Sequence, residues 1–241
     1  MSFTAASLYR DTGNFFRHQL ITIVLIALLT SFITVLIGHA LTPDMSALTG
    51  TDNSAGSLLE WVRTLTPEQQ QVLLHASAAG SFASLVGNTL LLGAMLSLIP
   101  MVSAGERVSA LRAIGVSAPM LLRLLPLVFL MTLIVQLGFM ALMLPGVIFM
   151  VLLALSPMIL TSEKIGLFAS MRASSRLAWR HIKVVAPAIL LWLLAKLAVL
   201  LMASSLTVLP ANVTSVLLNA LSNIVSAVLV IYLSRLYMLL R

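Results

Sequence analysis

Lys196 is the residue in this sequence best placed to do chemistry. It stands near the middle of the apolar stretch 184–206. If that stretch crosses a membrane, the side chain starts about 15 Å from either surface, at 1.5 Å per residue. A lysine does not easily snorkel that far, and an ionisable group inside a membrane points to function and to a partner. None of the apolar stretches of this chain contains Asp or Glu, so an ion pair is unavailable. The partners on offer are amides and hydroxyls: Asn88, Gln136, Asn219, Asn223, Ser204 and Ser205. The amine is then either neutral and hydrogen-bonded, or a cation facing a wet cavity that takes an anion. The plain structural alternative is a lysine made tolerable by local water and bilayer thinning.

A polar seam lies within reach of it. Asn212, Ser215, Asn219, Ser222, Asn223 and Ser226 recur at spacings of three and four, along one helix face. Such a face turns inward and bonds to neighbouring helices, or it lines a site. Lys196, Asn219 and Asn223 are the candidate intramembrane polar site. A second constellation is basic. At 100° per residue, Arg172, Arg176, Arg180 and Lys183 share an arc of about 80°, beside an apolar arc of about 120°. The apolar arc holds Leu167, Phe168, Met171, Trp179 and Ile182. A helix striped in this way lies in the headgroup plane, and each basic residue contributes about 1 kcal/mol toward anionic lipid. Contact with anionic headgroups is the functional reading; enforcing orientation is the plain one.

Other chemistry finds no support. The chain has no cysteine, which removes disulfides and thiolate metal sites together. His39 and His75 could approach Asp44, but no metal-ligand spacing accompanies them. No serine sits in a nucleophile elbow, and there is no phosphate-binding Gly-Lys-Ser/Thr loop. Asn212-Val213-Thr214 is a glycosylation sequon in form only. We expect no enzyme activity, no metal and no cofactor.

These residues must be positioned by membrane spans. The 241-residue chain is 60% hydrophobic and only 9% charged, where soluble domains carry about a quarter charged residues. Apolar stretches of spanning length fall near 20–40, 82–103, 124–143, 145–161, 184–206 and 214–235. Twelve of the fourteen Lys and Arg residues lie in alternate gaps or at the ends, so the positive-inside rule puts both termini in the cytoplasm. A re-entrant 145–161 would send the five-charge loop 163–183 outside, so six spans are retained. The formal charge of +7 is thus topology signal and attraction to anionic lipid, and no aromatic-basic platform for nucleic acid accompanies it. The first apolar run exceeds a signal-peptide core and reads as an uncleaved span.

The expected architecture is an all-α integral membrane protein: one transmembrane domain over 1–241, a six-span bundle with basic interfacial helices. The external loop 41–76 is too short for its own core. Ser57-x-x-Glu60 and Thr66-Pro67-x-Gln69 have capping-box form, the first starting a short helix around Trp61, the second a helix that runs on into the second span. That span is rich in small-xxx-small pairs (Ser77–Ser81, Ala79–Ala83, Gly80–Ser84, Ala83–Gly87), which mark a central or dimerising helix.

The chain also echoes itself. ASLYRDTGNFFRH at 6–18 and ASMRASSRLAWRH at 169–181 both lead into a span, and ALRAIGVSAPMLLR at 110–123 is a fainter relative. Three units of interfacial segment plus helical hairpin are expected.

YRDTGNFFRHQ, VSAGERVSALRAIGVSAP, IGLFASMRASSRLAW and the closing SRLYMLLR together resemble the YciC family of uncharacterised multi-pass inner-membrane proteins of enterobacteria. The resemblance covers nearly the whole chain and implies a bacterial inner-membrane location; it supplies no functional residues. Two functions are then open. One is a non-enzymatic membrane protein that interacts with lipids or an envelope partner, or self-associates, and helps maintain the membrane. The other is a small transporter or channel for an anionic or amphiphilic solute, anchored by Lys196.

Overall fold

The computed structural model describes residues 5–43, 62–163, 165–203 and 211–240. Asp44, the Ser57-x-x-Glu60 cap, Trp61, Lys164, Ser204, Ser205 and the side chain of Asn212 lie outside the described residues. Those described are helical throughout, with no strand among them. The helices are α1 (Ala5–His18), α2 (Leu20–Leu41), α3 (Pro67–Ser103), α4 (Ala110–Ala141), α5 (Met143–Leu153), α6 (Ser156–Glu163), α7 (Leu167–Arg180), α8 (Ile182–Ala203) and α9 (Ala211–Leu240). Six are long and apolar enough to cross a membrane, counting α5 and α6 as one span over Met143–Glu163.

Local signals set the boundaries. Thr66 accepts a hydrogen bond from the Gln69 N–H while Gln69 Oε1 accepts from the Thr66 N–H, with Pro67 as first residue of the helix. The predicted capping box is present, and α3 continues without interruption into the second span. Ser109 caps α4 by accepting from the Arg112 N–H at 3.3 Å. Leu142 takes an extended conformation that separates α4 from α5. The fourth span therefore begins at Met143, two residues before Pro145, which still falls in the first turn where its missing N–H costs nothing.

One end of the bundle gathers the charged contacts. Arg112 pairs with Glu106 at 3.0 Å, and Arg235 Nε lies 3.4 Å from Asp11. Arg123 donates to the Ile165 carbonyl, and the Tyr237 hydroxyl to Glu163. We refer to this as the basic end; the opposite end carries Thr42, Pro67 and the α4–α5 turn. At the basic end, α1 and α7 are short helices of the same length, each ending at a one-residue turn (Gln19, His181) that leads into a span. The third segment of the echo is not a separate helix: 110–123 is the first part of α4, because Ser109 caps it and nothing interrupts it before Leu142.

The fourth span contains a break just before Pro157, whose missing N–H cannot carry the helical ladder back to Leu153. Between α5 and α6, around Ala154 and Leu155, the helical ladder is interrupted. A fully buried serine on α7 fills the gap. Ser174 Oγ donates to the Leu152 carbonyl at 2.7 Å and accepts from the Leu155 N–H at 3.2 Å. Broken helices survive at membrane depth only when the freed backbone groups find such partners. The inward face of α7 is accordingly Ser170, Met171, Ser174 and Ala178, all buried. Its apolar arc divides: Met171 turns in, while Phe168 and Trp179, 74% and 64% exposed, stay out beside the arginines.

Close helix approaches use the small residues. Ala79, Ala83 and Gly87 are buried on α3. A Cβ on Gly87 would overlap the Thr34 side chain of α2, and one on Gly38 would touch Ala83. At the far end a Cβ on Gly138 would come within 2.9 Å of the Gly146 Cα. Gly138→Ala should therefore cost about 1–3 kcal/mol of unfolding free energy. Gly80→Ala, with open space around it, should be neutral or gain up to about 1 kcal/mol of helix propensity. Denaturant unfolding in mixed micelles checks the pair; equal effects would contradict the α4–α5 contact.

Candidate functional site

Lys196 sits on α8 about 21 Å along from its first residue, Ile182. Its amine donates to the Ser222 hydroxyl of α9 and lies 5.4 Å from the centroid of the Trp192 ring, within cation–π range. Trp192 is one turn earlier on α8, and its indole N–H points to Ser226 Oγ at 3.4 Å. Lys–Trp on one helix thus meets Ser–Ser on the other, both at i, i+4. None of these partners carries a negative charge.

The polar seam of α9 is real, but its members face two ways. Asn223 is buried against α2, where its amide donates to Thr30 Oγ1 at 3.1 Å and approaches the Ala27 carbonyl at 3.4 Å. Ser31 of α2 donates to the Val216 carbonyl of α9 at 2.9 Å. Ser222 and Ser226 face α8 instead. Asn219 donates to the Ser215 carbonyl of its own helix. Of the three residues expected to form one site, then, only Lys196 lies at it. Asn223 glues α9 to α2, and Ser222 replaces both asparagines as the lysine's partner. A spacing of 3 and 4 places residues on one broad face; it does not distinguish its two edges, which here serve different neighbours.

Lys196 opens onto a partly open cavity of about 580 Å³ lined by α3, α4, α5, α6, α8 and α9. Most of the wall is apolar, with Leu92, Met131, Met158 and Leu233 among its residues. Its polar groups are Lys196, Ser226, Thr132 and two amides, Asn88 and Gln136. Both amides had been candidate lysine partners; the structure brings them to the same cavity without bonding them to the lysine. Volume and lining fall in the usual range for a ligand pocket, a mostly apolar concavity with few convergent polar groups. Met150, Ala154, Pro157 and Met158, at the break in the fourth span, form part of the wall. A second cavity, about 700 Å³, runs between α3 and α4 and shares Asn88, Thr132 and Gln136 with the first.

The basic residues are placed as a surface. Arg172, Arg176, Arg180 and Lys183 are all exposed at α7 and the start of α8. Ser175, Arg176, Trp179 and Arg180 line a shallow groove of about 430 Å³ closed by Leu152. His39 and His75 are both exposed, and Asp44 lies outside the described residues.

Sequence reading passes over Ser174 and Trp192, and names Ser222 only as one of six seam residues. A signal existed for the first: Ser170, Ser174 and Ala178 recur every four residues, the pattern of a helix packed through small side chains.

The Asn223 contact gives a direct expectation. Asn223→Ala should destabilise the bundle by about 0.6–1.7 kcal/mol, the range of interhelical hydrogen bonds in membranes. Asn219→Ala should change stability by less than half as much. A larger effect at Asn219 in the same unfolding assay would contradict the assignment of glue to Asn223.

Comparison with known proteins places the chain. Residues 1–239 match the uncharacterised protein family UPF0259. It is 53% identical to a UPF0259 membrane protein of Pectobacterium carotovorum subsp. carotovorum, over the full length of both chains. A second UPF0259 membrane protein, from Serratia proteamaculans, is also 53% identical with full coverage of both. One from Sodalis glossinidius is 52% identical over 100% of this chain and 99% of the relative. No solved structure matches. The chain belongs to the UPF0259 family and is a multi-pass membrane protein, in agreement with the resemblance read from its four sequence stretches.

Proposed function

We propose that this member of the UPF0259 family is a non-enzymatic protein of the bacterial inner membrane that binds an anionic amphiphile inside its bundle. Membrane maintenance is the role this would serve, with both termini in the cytoplasm. One observation carries the reading: the mostly apolar cavity of about 580 Å³ has a single basic group, Lys196, with only neutral partners. A charge withdrawn from water costs several kcal/mol unless it is paired. An anionic headgroup supplies the missing countercharge, and the apolar wall suits an acyl chain. The topology rests on the charge asymmetry, with four Lys and Arg residues of α7 and the start of α8 exposed toward anionic lipid.

Transport is the second reading. It is favoured by the cavity's continuation between α3 and α4, since a binding site with a second opening is the minimum a carrier needs. The two readings share Lys196 and differ in whether the bound molecule leaves on the other side.

Lys196→Met tests the common part. The variant should insert and fold with unchanged or higher stability, because it removes a costly buried charge. In nanodiscs its affinity for a photoreactive fatty acid should drop at least about tenfold, roughly 1.4 kcal/mol. Affinity for the corresponding fatty alcohol should not change. Equal binding of the acid by both proteins would sink the proposal. The basic surface is tested separately. Arg172, Arg176 and Arg180 replaced together by Gln should lose about 3 kcal/mol of preference for anionic over zwitterionic lipid. Native mass spectrometry of retained lipid reads this out, and an unchanged preference would remove α7 as a headgroup contact.

A further inference from the structure

The groove between α3 and α4 is a continuation of the Lys196 cavity. The same three residues, Asn88, Thr132 and Gln136, line both. On the side away from the lysine it is walled by Ser77, Gly80, Ser81 and Ser84, which lead along α3 toward the end bearing Pro67, and by the apolar Phe82, Phe129 and Leu133, so its wall is of mixed polarity. These residues are exposed, whereas Ala79, Ala83 and Gly87 on the other face of α3 are packed against α2 or buried. The small residues of α3 therefore have two separate uses, one for helix packing and one that leaves space.

At the neck the two amides set the chemistry. Asn88 and Gln136 are exposed to the cavities, and no other described side chain or backbone group takes up either amide. Thr132 differs, since its hydroxyl donates to the Val128 carbonyl. An unbonded amide at membrane depth is costly, and polar groups kept there line water-filled or ligand-filled space. Lys196 lines the same cavity as the two amides.

We infer that this groove is an access route from the non-basic end of the bundle to Lys196. It admits the oxygen-rich headgroup of an anionic amphiphile, and Asn88 and Gln136 donate hydrogen bonds to it in passage. The inference rests on the proposed binding at Lys196 for its ligand, but the route itself is testable without any ligand.

The chain has no cysteine, so single cysteines report cleanly. Ser84→Cys, Gln136→Cys and Lys196→Cys are placed in turn in the full-length protein in sealed vesicles of known orientation. A membrane-impermeant methanethiosulfonate is then added from one side at a time. All three should react from the non-basic side, with rates falling from Ser84→Cys to Lys196→Cys, and at least tenfold more slowly from the basic side. Gly80→Phe, built at a position with open space for a side chain, should slow the reaction of Lys196→Cys at least fivefold and leave folding intact. If Gly80→Phe fails to fold, Ser84→Phe serves the same purpose. Reaction from the basic side only, protection of all three positions, or no effect of the bulky residue overturns the route.

The ligand is examined with three photoreactive probes: a fatty acid, a single-chain lysophosphatidate and a fatty alcohol. Both acids but not the alcohol should label the wild type faster than Gly80→Phe. Labelling by one acid alone identifies carboxylate or phosphate as the headgroup. Thiol access without labelling would leave the route standing and refute the binding reading. Labelling that needs Lys196 but ignores Gly80→Phe would do the reverse.

Discussion

Within a bilayer no water is at hand to satisfy a polar group, and this constraint orders the whole molecule. Every polar contact inside the described bundle is an answer to it. Asn223 reaches across to Thr30, Ser31 to the Val216 carbonyl, and Tyr232 to the Val184 carbonyl. These bonds tie α9 to α2 on one side and to α8 on the other. Ser174 answers for two backbone groups at once, in the middle of a span. Where the requirement is met internally, the residue is structural. The buried hydroxyls of Ser97, Ser156 and Ser234 go without a partner, whereas Lys196, Asn88 and Gln136 are the incompletely paired groups that border one cavity.

Much of the fold was legible because the membrane makes length and hydropathy nearly decisive. Six apolar stretches became six spans, and Thr66-Pro67-x-Gln69 became the cap it resembled. What escaped were features that depend on three-dimensional neighbours. The break near Leu155 lies just before Pro157, which has no N–H to continue the ladder, but the serine nineteen residues later that completes the backbone could not be read from the sequence. The segment 110–123 reads as interfacial by its arginines, but Ser109 starts it as a helix that runs on past Pro119 and Pro126, so it merges with its span. The site was half legible. Lys196 stood out by charge alone, whereas its true partner, Ser222, was one of six seam residues that the sequence could not rank.

The second span shows how one composition serves two ends. Small residues let α3 lie close to α2 on one side, where a methyl group on Gly87 has no room. On the other side the same smallness leaves a groove toward α4. Read as a stripe, these residues suggested a central or dimerising helix. The structure makes α3 central, in contact with α2, α4 and α9, with its remaining face turned to open space.

The repaired break in the fourth span bears on how the protein is made. The groups freed at Leu152 and Leu155 are satisfied by a residue that the ribosome adds 19 to 22 positions later. When the fourth hydrophobic segment is made, the side chain that serves these two groups has not yet been added, and α7 supplies it afterwards. The fourth helix acquires its final shape only after the chain has already turned toward the fifth.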